Sequence, residues 1–448
     1  MITAAHLWVF LPILLGVLTF RIDFGRMLYR WGTLIALGLT ILAVFLPFDT
    51  PFRFAGVSLK IAASFEFLGR SLVFERQTLY VIAILYGITA MWFYGLRVVP
   101  AARAIVPWGL VFDGLLVALL TIRPFLYAAI LLEALAFLLL FLVKPQLDSA
   151  LRFLANQSLA LPFLMSAAFL SGGGGVGAPG MSQNFVALIL LGVGLVLSVG
   201  VFPFHSWMPL MADKLHPYLS TFLLWLLPLT TLLFLAGFVA RFPSVNGGMI
   251  SPALRISGML MALIGSSSIL AERHLGRAFG YGVICETGYG LLTLSFGEHG
   301  QSLFTTSLLP RSLTLILWGF ALSMLYRYAG ALEFSSLEGT GRRLPFASIA
   351  LLLAIFSLAG FPLLAVFPWR FSLWEQLTMS SPPYGFLFLL SLLGISGHGL
   401  RTFNALFAHF ESDWKREETL AELILLIAGV AGMIFLGVFP QITVLMAR

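Results

Sequence analysis

Long apolar segments recur from one end of the chain to the other, separated by short polar stretches. Each is about 17–25 residues or longer, enough for an α-helix to cross a hydrocarbon core of about 30 Å. Backbone polar groups in lipid must be hydrogen-bonded internally, so these segments predict helices and not open strands. Fourteen spans are predicted, near residues 4–20, 31–48, 77–95, 104–121, 124–143, 149–170, 184–203, 217–239, 250–270, 277–295, 310–328, 347–378, 384–409 and 420–444.

The overall composition agrees with this pattern. Hydrophobic residues make up 60% of the chain and charged residues 10%, which is far from the usage of soluble domains. The chain is therefore predicted to be an all-α polytopic membrane protein, and its first apolar segment, without a basic region or a cleavage site, a retained helix. Cys285 is the single cysteine, which excludes disulfides within the chain and cysteine-held metal clusters. No cofactor and no bound metal are expected.

The formal net charge of +7 follows membrane topology rather than a nucleic-acid partner. If the N-terminus is outside, the predicted inner loops hold the larger group of cations: Arg21, Arg26, Arg30, Arg97, Arg103, Lys144, Arg152, Lys214, Arg273, Arg277, Arg327, Arg342, Arg343, Lys415 and Arg416. The predicted outer loops hold a smaller group: Arg53, Lys60, Arg70, Arg76, Arg123, Arg241 and Arg311. This asymmetry follows the positive-inside rule and predicts both termini on the outer side. No nucleic-acid binding is expected.

The spans are predicted to form two inverted five-helix repeats. Residues 101–240 would hold helices 4–8 and residues 241–410 helices 9–13, with helices 1–3 in 1–100 and helix 14 in 411–448. Transporters with such repeats often contain helices that break near the bilayer midplane. Proline removes a backbone donor and can open a helix. Breaks are predicted at four prolines, although a simple kink is the alternative: Pro203, Pro228, Pro362 and Pro368.

Several ionisable residues fall inside the predicted spans, where charge is costly and often functional. Glu133 and Glu286 lie in the second helix of each repeat and are candidates for proton exchange. The alternative for each is a structural hydrogen bond to a neighbouring helix. For Asp113 the structural interpretation is favoured. His398 is expected to line or pack a polar region, because no second ligand stands at helical spacing for a metal.

Arg370 follows the break in the twelfth span. A buried lysine can lose and regain a proton, whereas arginine effectively keeps its charge. Arg370 is therefore predicted to act electrostatically, by holding a carboxylate or organising water.

The segment FPFHSWMP at 202–209 resembles the PFHxWxP signature of the antiporter-like subunits of respiratory complex I and their Mrp-antiporter relatives. Further segments resemble that family in the same order, and together they cover roughly residues 110–445. They are LEALAFLLLFLV (132–143), LSTFLLW (219–225), LAERHLGRAFGYGVICETGYGLL (270–292), SLAGFPLLAVFPWRF (357–371) and LGVFPQ (436–441). The length and the Ser-Thr-Phe-Leu run at 220–223 look most like the N-type subunit of NADH:quinone oxidoreductase.

In that family a glutamate and three lysines form a polar axis along the membrane. The resemblance implies that the glutamate is Glu133. The lysine positions of the seventh, eighth and twelfth helices hold Ser198, Pro228 and Arg370, and the tenth-helix histidine position holds Glu286. The four lysines of the chain are all predicted in loops, so no realignment restores an intramembrane lysine.

The resemblance implies a membrane-arm subunit of a complex I-like NADH:quinone oxidoreductase, in a bacterial plasma membrane beside other membrane-arm subunits. It would take part in, or structurally support, proton translocation. The implied proton path contains Glu133, Ser198, His205, Glu286, Arg370 and His398. The alternative is an antiporter-like subunit of an Mrp-type cation/proton antiporter, a membrane-bound hydrogenase or an inorganic-carbon uptake complex.

Overall fold

The structure is a computed structural model of the 448-residue chain. It describes residues 2–21, 25–46, 52–54, 57–99, 103–143, 148–172, 181–242, 250–408 and 414–447. Lys144, one of the predicted inner-loop cations, lies outside the described residues. Helices dominate the described ranges, as the apolar segments predict.

The N-terminal half begins with a π-helical segment, His6–Phe10, which continues into the first α-helix. The helices that follow are α1 (Leu11–Arg21), α2 (Leu28–Phe45), α3 (Arg76–Gly95), α4 (Ile105–Thr121), α5 (Leu126–Val143), α6 (Asp148–Ser171), α7 (Met181–Val199), α8 (Trp207–Lys214) and α9 (Pro217–Arg241).

The C-terminal half contains α10 (Ile250–Ala271), α11 (Leu275–Leu294), α12 (Gly297–Ala329), α13 (Phe334–Leu337), α14 (Pro345–Leu358), α15 (Phe367–Ser380), α16 (Pro382–Phe407), α17 (Leu420–Val438) and α18 (Gln441–Ala447). Short 3-10 turns lie at Gly25–Met27, Phe204–Ser206 and Thr340–Arg342.

Short strands, which the helical pattern does not predict, lie before α1, between α2 and α3, and between α4 and α5. They are β1 (Ile2–Thr3), β2 (Phe52–Phe54), β3 (Val57–Leu59), β4 (Ile61–Ala62), β5 (Ser64–Phe67), β6 (Arg70–Val73) and β7 (Ile122–Arg123). β1 pairs with β4 in parallel, and β2 pairs with β3 antiparallel. β5, β6 and β7 form an antiparallel sheet, in which Ser64 lies opposite Val73 and Ser71 opposite Arg123.

Within the described residues, ten helices are long and apolar enough to cross a membrane. The number is eleven if the pair Phe334–Arg342 and Pro345–Leu358, bent by 117°, is one span. The predicted spans 4–20 and 104–121 coincide with shorter apolar helices, His6–Arg21 and Ile105–Thr121. The count of fourteen spans and the inverted repeats stay predictions.

The four prolines predicted to break helices lie in different settings. Pro203 lies between α7 and α8, Pro362 lies between α14 and α15, and Pro368 is the second residue of α15. Pro228 lies inside α9, which continues to Arg241. The predicted break at Pro228 is therefore wrong, because the helix continues through the proline, as transmembrane helices can where neighbouring groups satisfy the freed carbonyl.

The interior of the helix assembly is built around α9 and α12. Of the residues in the apolar stretch of each helix, 89% are buried in α9 and 94% in α12, compared with 28% in α2 and 22% in α17. α10 and α11 meet closely through glycines: a Cβ at Gly258 would lie 2.7 Å from the carbonyl oxygen of Gly288. This contact sets the position of α11, which carries the central carboxylate described next.

Candidate functional site

A cluster of three charged side chains lies buried between α11, α12 and α15. Glu286 of α11 is 2% exposed. Its Oε1 accepts a hydrogen bond from Nη2 of Arg370, and its Oε2 lies 3.4 Å from Nε of Arg311. Each arginine side chain is 8% exposed. One carboxylate is thus shared by two guanidinium groups, which gives the cluster a formal charge of +1.

The break between α14 and α15 positions Arg370. Its Nε donates to the carbonyl oxygen of Leu358, the last residue of α14, over 3.3 Å. A helix end leaves carbonyl groups without intrahelical partners, and Arg370 supplies a hydrogen-bond donor to one of them. Gly360 has φ +76°, and a Cβ there would lie 3.1 Å from Cβ of Arg370. The tight turn and the close approach both require glycine.

Aromatic and hydroxyl groups surround the charged cluster. The guanidinium carbon of Arg370 lies 4.1 Å from the ring centroid of Tyr289, a cation–π contact. The hydroxyl of Tyr289 lies 2.9 Å from Oγ of Ser391 in α16. A cavity of about 20 Å³ adjoins Glu286 and both arginines, enough for about one water molecule. The cluster is therefore close-packed and has room for little solvent.

Arg311 is the member of this cluster whose predicted position, in an outer loop, is wrong. It lies inside α12, which begins at Gly297 rather than near residue 310. Hydroxyl residues such as Thr305 and Thr306 lower the hydrophobicity of residues 297–309, so the sequence does not predict that the helix begins there. A usable signal exists: Arg311 is the only charged residue between Glu298 and Arg327, if histidine is counted as neutral.

Glu133 lies in a second, separate place, on α5. Its Oε1 accepts a hydrogen bond of 2.5 Å from Oγ of Ser158 in α6. Its Oε2 is buried and has no hydrogen-bond partner among the described residues. Glu133 is half-buried and Ser158 is exposed, so this carboxyl group lies near the outer surface of the α5–α6 pair.

Ser198 is joined to Gln157 of α6 by two reciprocal hydrogen bonds. Oγ of Ser198 donates to Oε1 of Gln157, and Nε2 of Gln157 donates to the carbonyl oxygen of Ser198, both over 2.9 Å. Both residues are 2% exposed. Gln157 was not singled out in the sequence, because a neutral amide in an amphipathic helix has no distinctive pattern.

The neighbouring residue of α6 also supports the interruption between α7 and α8. Nδ2 of Asn156 donates to the carbonyl oxygen of Phe204 over 3.2 Å. His205 of the PFHxWxP-like segment stacks on Phe202, with ring centroids 5.7 Å apart. Its Nδ1 is buried without a partner in the described part of the chain. α6 thus holds the break through side-chain amides.

His398 is buried in α16, with Nε2 3.3 Å from Oγ1 of Thr402 and its ring stacked on Phe334. Asp113 is fully buried in α4, and neither of its carboxylate oxygens has a hydrogen-bond partner among the described residues. No group of three or more histidine, cysteine or acidic residues in the described ranges could hold a metal ion.

The predicted path thus falls into three local groups, with His205 and His398 outside them. Glu286 and Arg370 are in contact, whereas Glu133 is bonded to Ser158 and Ser198 to Gln157. Across the ranges that the structure describes, no hydrogen bond or ion pair joins one group to another.

The turn before α11 anchors the helix that carries Glu286. Nη2 of Arg277 donates to Oε1 of Glu272 over 2.9 Å, and the backbone N–H groups of Arg273 and His274 donate to the same oxygen. Burial raises the pKa of Glu272, but these hydrogen bonds and the charge of Arg277 outweigh it and leave that pKa below its ordinary value. Burial lowers the pKa of His274, whose Nδ1 caps α11 by accepting from the N–H of Arg277.

Comparison with known proteins identifies a family to which the sequence is similar. The family model described as "NADH:quinone oxidoreductase/Mrp antiporter, TM" matches residues 152–396. NADH-quinone oxidoreductase subunit N 1 of Herpetosiphon aurantiacus is 28% identical over 279 residues, which are 57% of this chain and 54% of that protein. Subunit N 2 of Acidobacterium capsulatum is 30% identical over 224 residues, 47% of this chain and 44% of that protein. The match therefore spans about half the length of these curated relatives.

Solved structures resemble the fold over nearly its whole length. A chain of the Mrp complex from Dietzia sp. has a TM-score of 0.80 at 15% identity and covers 99% of this chain and 96% of its own. A chain of respiratory complex I from Thermus thermophilus with bound NADH has a TM-score of 0.73 at 18% identity, covering 97% and 96%. With the apolar helices, these matches establish an integral membrane protein with this family's fold.

Proposed function

Since the chain belongs to the NADH:quinone oxidoreductase/Mrp antiporter membrane family, we propose that it is a membrane-arm, antiporter-like subunit of a complex I-like NADH:quinone oxidoreductase. It would work beside other membrane-arm subunits in a bacterial plasma membrane, with both termini outside. The buried Glu286–Arg311–Arg370 cluster at the α14–α15 break carries the proposal. Buried charges are costly in a membrane and are typical of ion pathways.

The chemistry of this cluster favours an electrostatic role in proton translocation. Arginine effectively does not release its proton, so Arg311 and Arg370 cannot pass a proton on as a lysine can. Their two charges instead set the field around Glu286. A change of charge in a neighbouring subunit would act on the cluster through this field, because attraction between charges is strong where water is scarce.

Ser198 and Glu133 have different roles in the proposal. Ser198 stands where the family has a lysine, and its hydroxyl is already bonded to Gln157. It therefore stabilises the broken helix and carries no charge. Glu133 is the carboxyl group that exchanges protons, since one of its oxygens has no partner in the described residues and it lies near the outer surface of α5 and α6. His205 and His398 would line the polar route between these groups.

The organisation of the chain follows the same proposal. Residues 1–100 would form helices 1–3, 101–240 and 241–410 the two inverted repeats, and 411–448 helix 14. The breaks at Pro203 and at Pro362 with Pro368 would occupy equivalent places in the two repeats.

The deciding experiment measures protons translocated per electron by the complete complex in sealed vesicles. Glu286→Gln is expected to lower this ratio, because two arginines then remain without their carboxylate. Glu298→Gln, at an exposed acid in the first turn of α12, serves as the matched control. If assembled Glu286→Gln complexes kept the normal ratio, the cluster would have no part in coupling.

A second candidate function is an antiporter-like subunit of an Mrp-type cation/proton antiporter. The family description, which names the Mrp antiporter beside the oxidoreductase, supports it, while the curated relatives named subunit N support the first. The membrane-bound hydrogenase and the inorganic-carbon uptake complex belong to the same class of alternative. Identification of the co-purified subunits separates them, because a peripheral arm with NADH-oxidising activity accompanies only the oxidoreductase.

A further inference from the structure

An apolar groove runs along α2 and α3. α2, α3 and α12 line it throughout, and α17 forms a wall only at the end where α3 finishes. Two adjoining cavities of about 300 Å³ and 760 Å³ compose it, and both are lined by Leu37 and Met91. Arg76 lines the groove at the start of α3 and Gly95 at the end. At about 1.5 Å per residue, a 20-residue helix is about 30 Å long, so the groove is as long as the hydrocarbon core is thick.

Three arginines surround a further cavity at the end of the groove where α2 begins and α3 ends. This cavity, of about 450 Å³, is lined by Arg30, Arg97 and Arg103. All three side chains are exposed. Nη1 of Arg97 donates to the hydroxyl of Tyr94 over 3.3 Å, and Tyr94 itself lines the groove. The basic cavity and the apolar groove therefore meet at Tyr94.

The three arginines form no ion pair with an acidic residue of the described ranges. Arg30 instead donates to the hydroxyl of Tyr29 over 3.0 Å and lies over its ring. The cavity therefore has three formal positive charges with no counter-charge shown within the described protein. This differs from Arg343 and Arg277, which are paired with Glu417 and Glu272.

We propose that this combined surface binds an anionic phospholipid. The guanidinium groups would hold the phosphate, because their planar donors match its oxygens. One acyl chain would lie in the groove below Tyr94, where the lining side chains are apolar or aromatic apart from that of Thr33. Basic pockets beside transmembrane helices are suited to anionic headgroups. The proposal is independent of proton translocation, since it uses a different face and different residues.

An anionic phospholipid would occupy both the arginine cavity and the apolar groove. Free phosphate would occupy the arginine cavity and leave the groove unused. A transmembrane helix of another protein would fill the groove and leave the three charges without a counter-ion. The two halves adjoin at Tyr94, so a single amphipathic molecule accounts for both.

The test compares phosphatidylglycerol with phosphatidylcholine binding to the purified full-length chain in detergent, by native mass spectrometry. The wild type is expected to prefer phosphatidylglycerol. Each cation near an anionic headgroup contributes about fivefold in affinity, so the double variant Arg30→Gln, Arg97→Gln should bind phosphatidylglycerol about 25-fold more weakly. Arg416→Gln, at an exposed arginine before α17, should retain the preference.

A second variant tests the groove itself. Ala428 lies exposed on the α17 wall, so Ala428→Phe should fill the groove and weaken binding of both lipids. Ala253→Phe, at an exposed position of α10, is its control. Helicity measured by circular dichroism verifies that every variant is folded.

Four results would overturn the proposal. The first is a wild type that does not distinguish the two lipids, and the second is a double variant that keeps the preference. The third is equal binding by Ala428→Phe together with displacement of the lipid by inorganic phosphate alone, which would indicate a free-anion site. Loss of a co-purified membrane protein from Ala428→Phe with unchanged lipid binding would assign the groove to a helix, and would equally contradict the lipid.

Discussion

Arg311 and Arg370 approach different oxygens of one carboxylate. Arg370, on α15, donates to Oε1 of Glu286, and Nε of Arg311, on α12, lies 3.4 Å from Oε2. The two cations come from helices that are distant in the chain, and the carboxylate between them offsets their mutual repulsion. Removal of one arginine would leave a neutral pair, whereas removal of the carboxylate would leave two unbalanced charges.

The two arginines are predicted to differ in how much they stabilise the fold. Arg370→Met removes a hydrogen bond to Glu286 and one to the carbonyl oxygen of Leu358, while Glu286 keeps Arg311 as a counter-charge, so it should cost about 1.5–3 kcal/mol, as for a lost hydrogen bond to a charged group. Arg311→Met removes one longer contact and should cost less. Thermal unfolding of the purified chain measures both.

Arg370→Lys is the control for that comparison, because it keeps the charge and loses the fork geometry. It should be more stable than Arg370→Met. Equal melting temperatures for the Lys and Met variants would show that charge at this position does not stabilise the cluster.

Ser198→Ala should destabilise the region where α6 supports the break after α7. The substitution leaves Oε1 of Gln157 buried without its donor, which costs about 1–3 kcal/mol. Hydrogen exchange followed by mass spectrometry should show faster exchange in residues 195–206. The control is Ser267→Ala in α10, at a serine whose hydroxyl donates within its own helix. Unchanged exchange in Ser198→Ala would mean that the amide pair is not a support.

Glu133→Gln should lower the number of protons moved per electron while the complex still assembles. Glutamine can accept the hydrogen bond from Ser158 but cannot exchange a proton at neutral pH. The measurement uses proton uptake in sealed vesicles at matched electron flux. Ser158→Ala keeps the carboxyl group and should change the ratio less, and an unaltered ratio in Glu133→Gln would contradict the exchange role.

The Glu272–Arg277 pair should make stability depend on pH. The pKa of Glu272 is lower in the folded chain than its ordinary value, so the stabilisation is complete above that ordinary value and is lost as the pH falls through the folded-state value. Arg277 is 46% exposed, so solvent screening limits the contribution to about 1 kcal/mol or less. The wild type should melt above Glu272→Gln at pH 7, and the difference should shrink towards pH 3. A difference that is constant with pH would exclude this ion pair as its cause.

Glu286 and Arg370 could be singled out from the sequence because each is a charged residue within or beside an apolar run, where the cost of burial makes it conspicuous. The serine at 198 was recognised through the PFHxWxP-like segment that follows it. Gln157 and Arg311 were missed for the opposite reason. Burying a neutral amide costs less than burying a charge, so Gln157 is not conspicuous in the sequence. The hydroxyl residues before Arg311 make the first turns of α12 polar enough to be predicted as a loop.

The membrane class, most of the helical elements and the family can be read from the amino-acid sequence, because hydrophobic length and local motifs are encoded in adjacent residues. The packing of the helices was needed to show that Glu286 is shared by Arg311 and Arg370, that Ser198 is bonded to Gln157, and that α9 passes through Pro228 unbroken. Contacts between α11, α12 and α15 join residues 286, 311 and 370, and no local pattern specifies a contact across that distance in the chain.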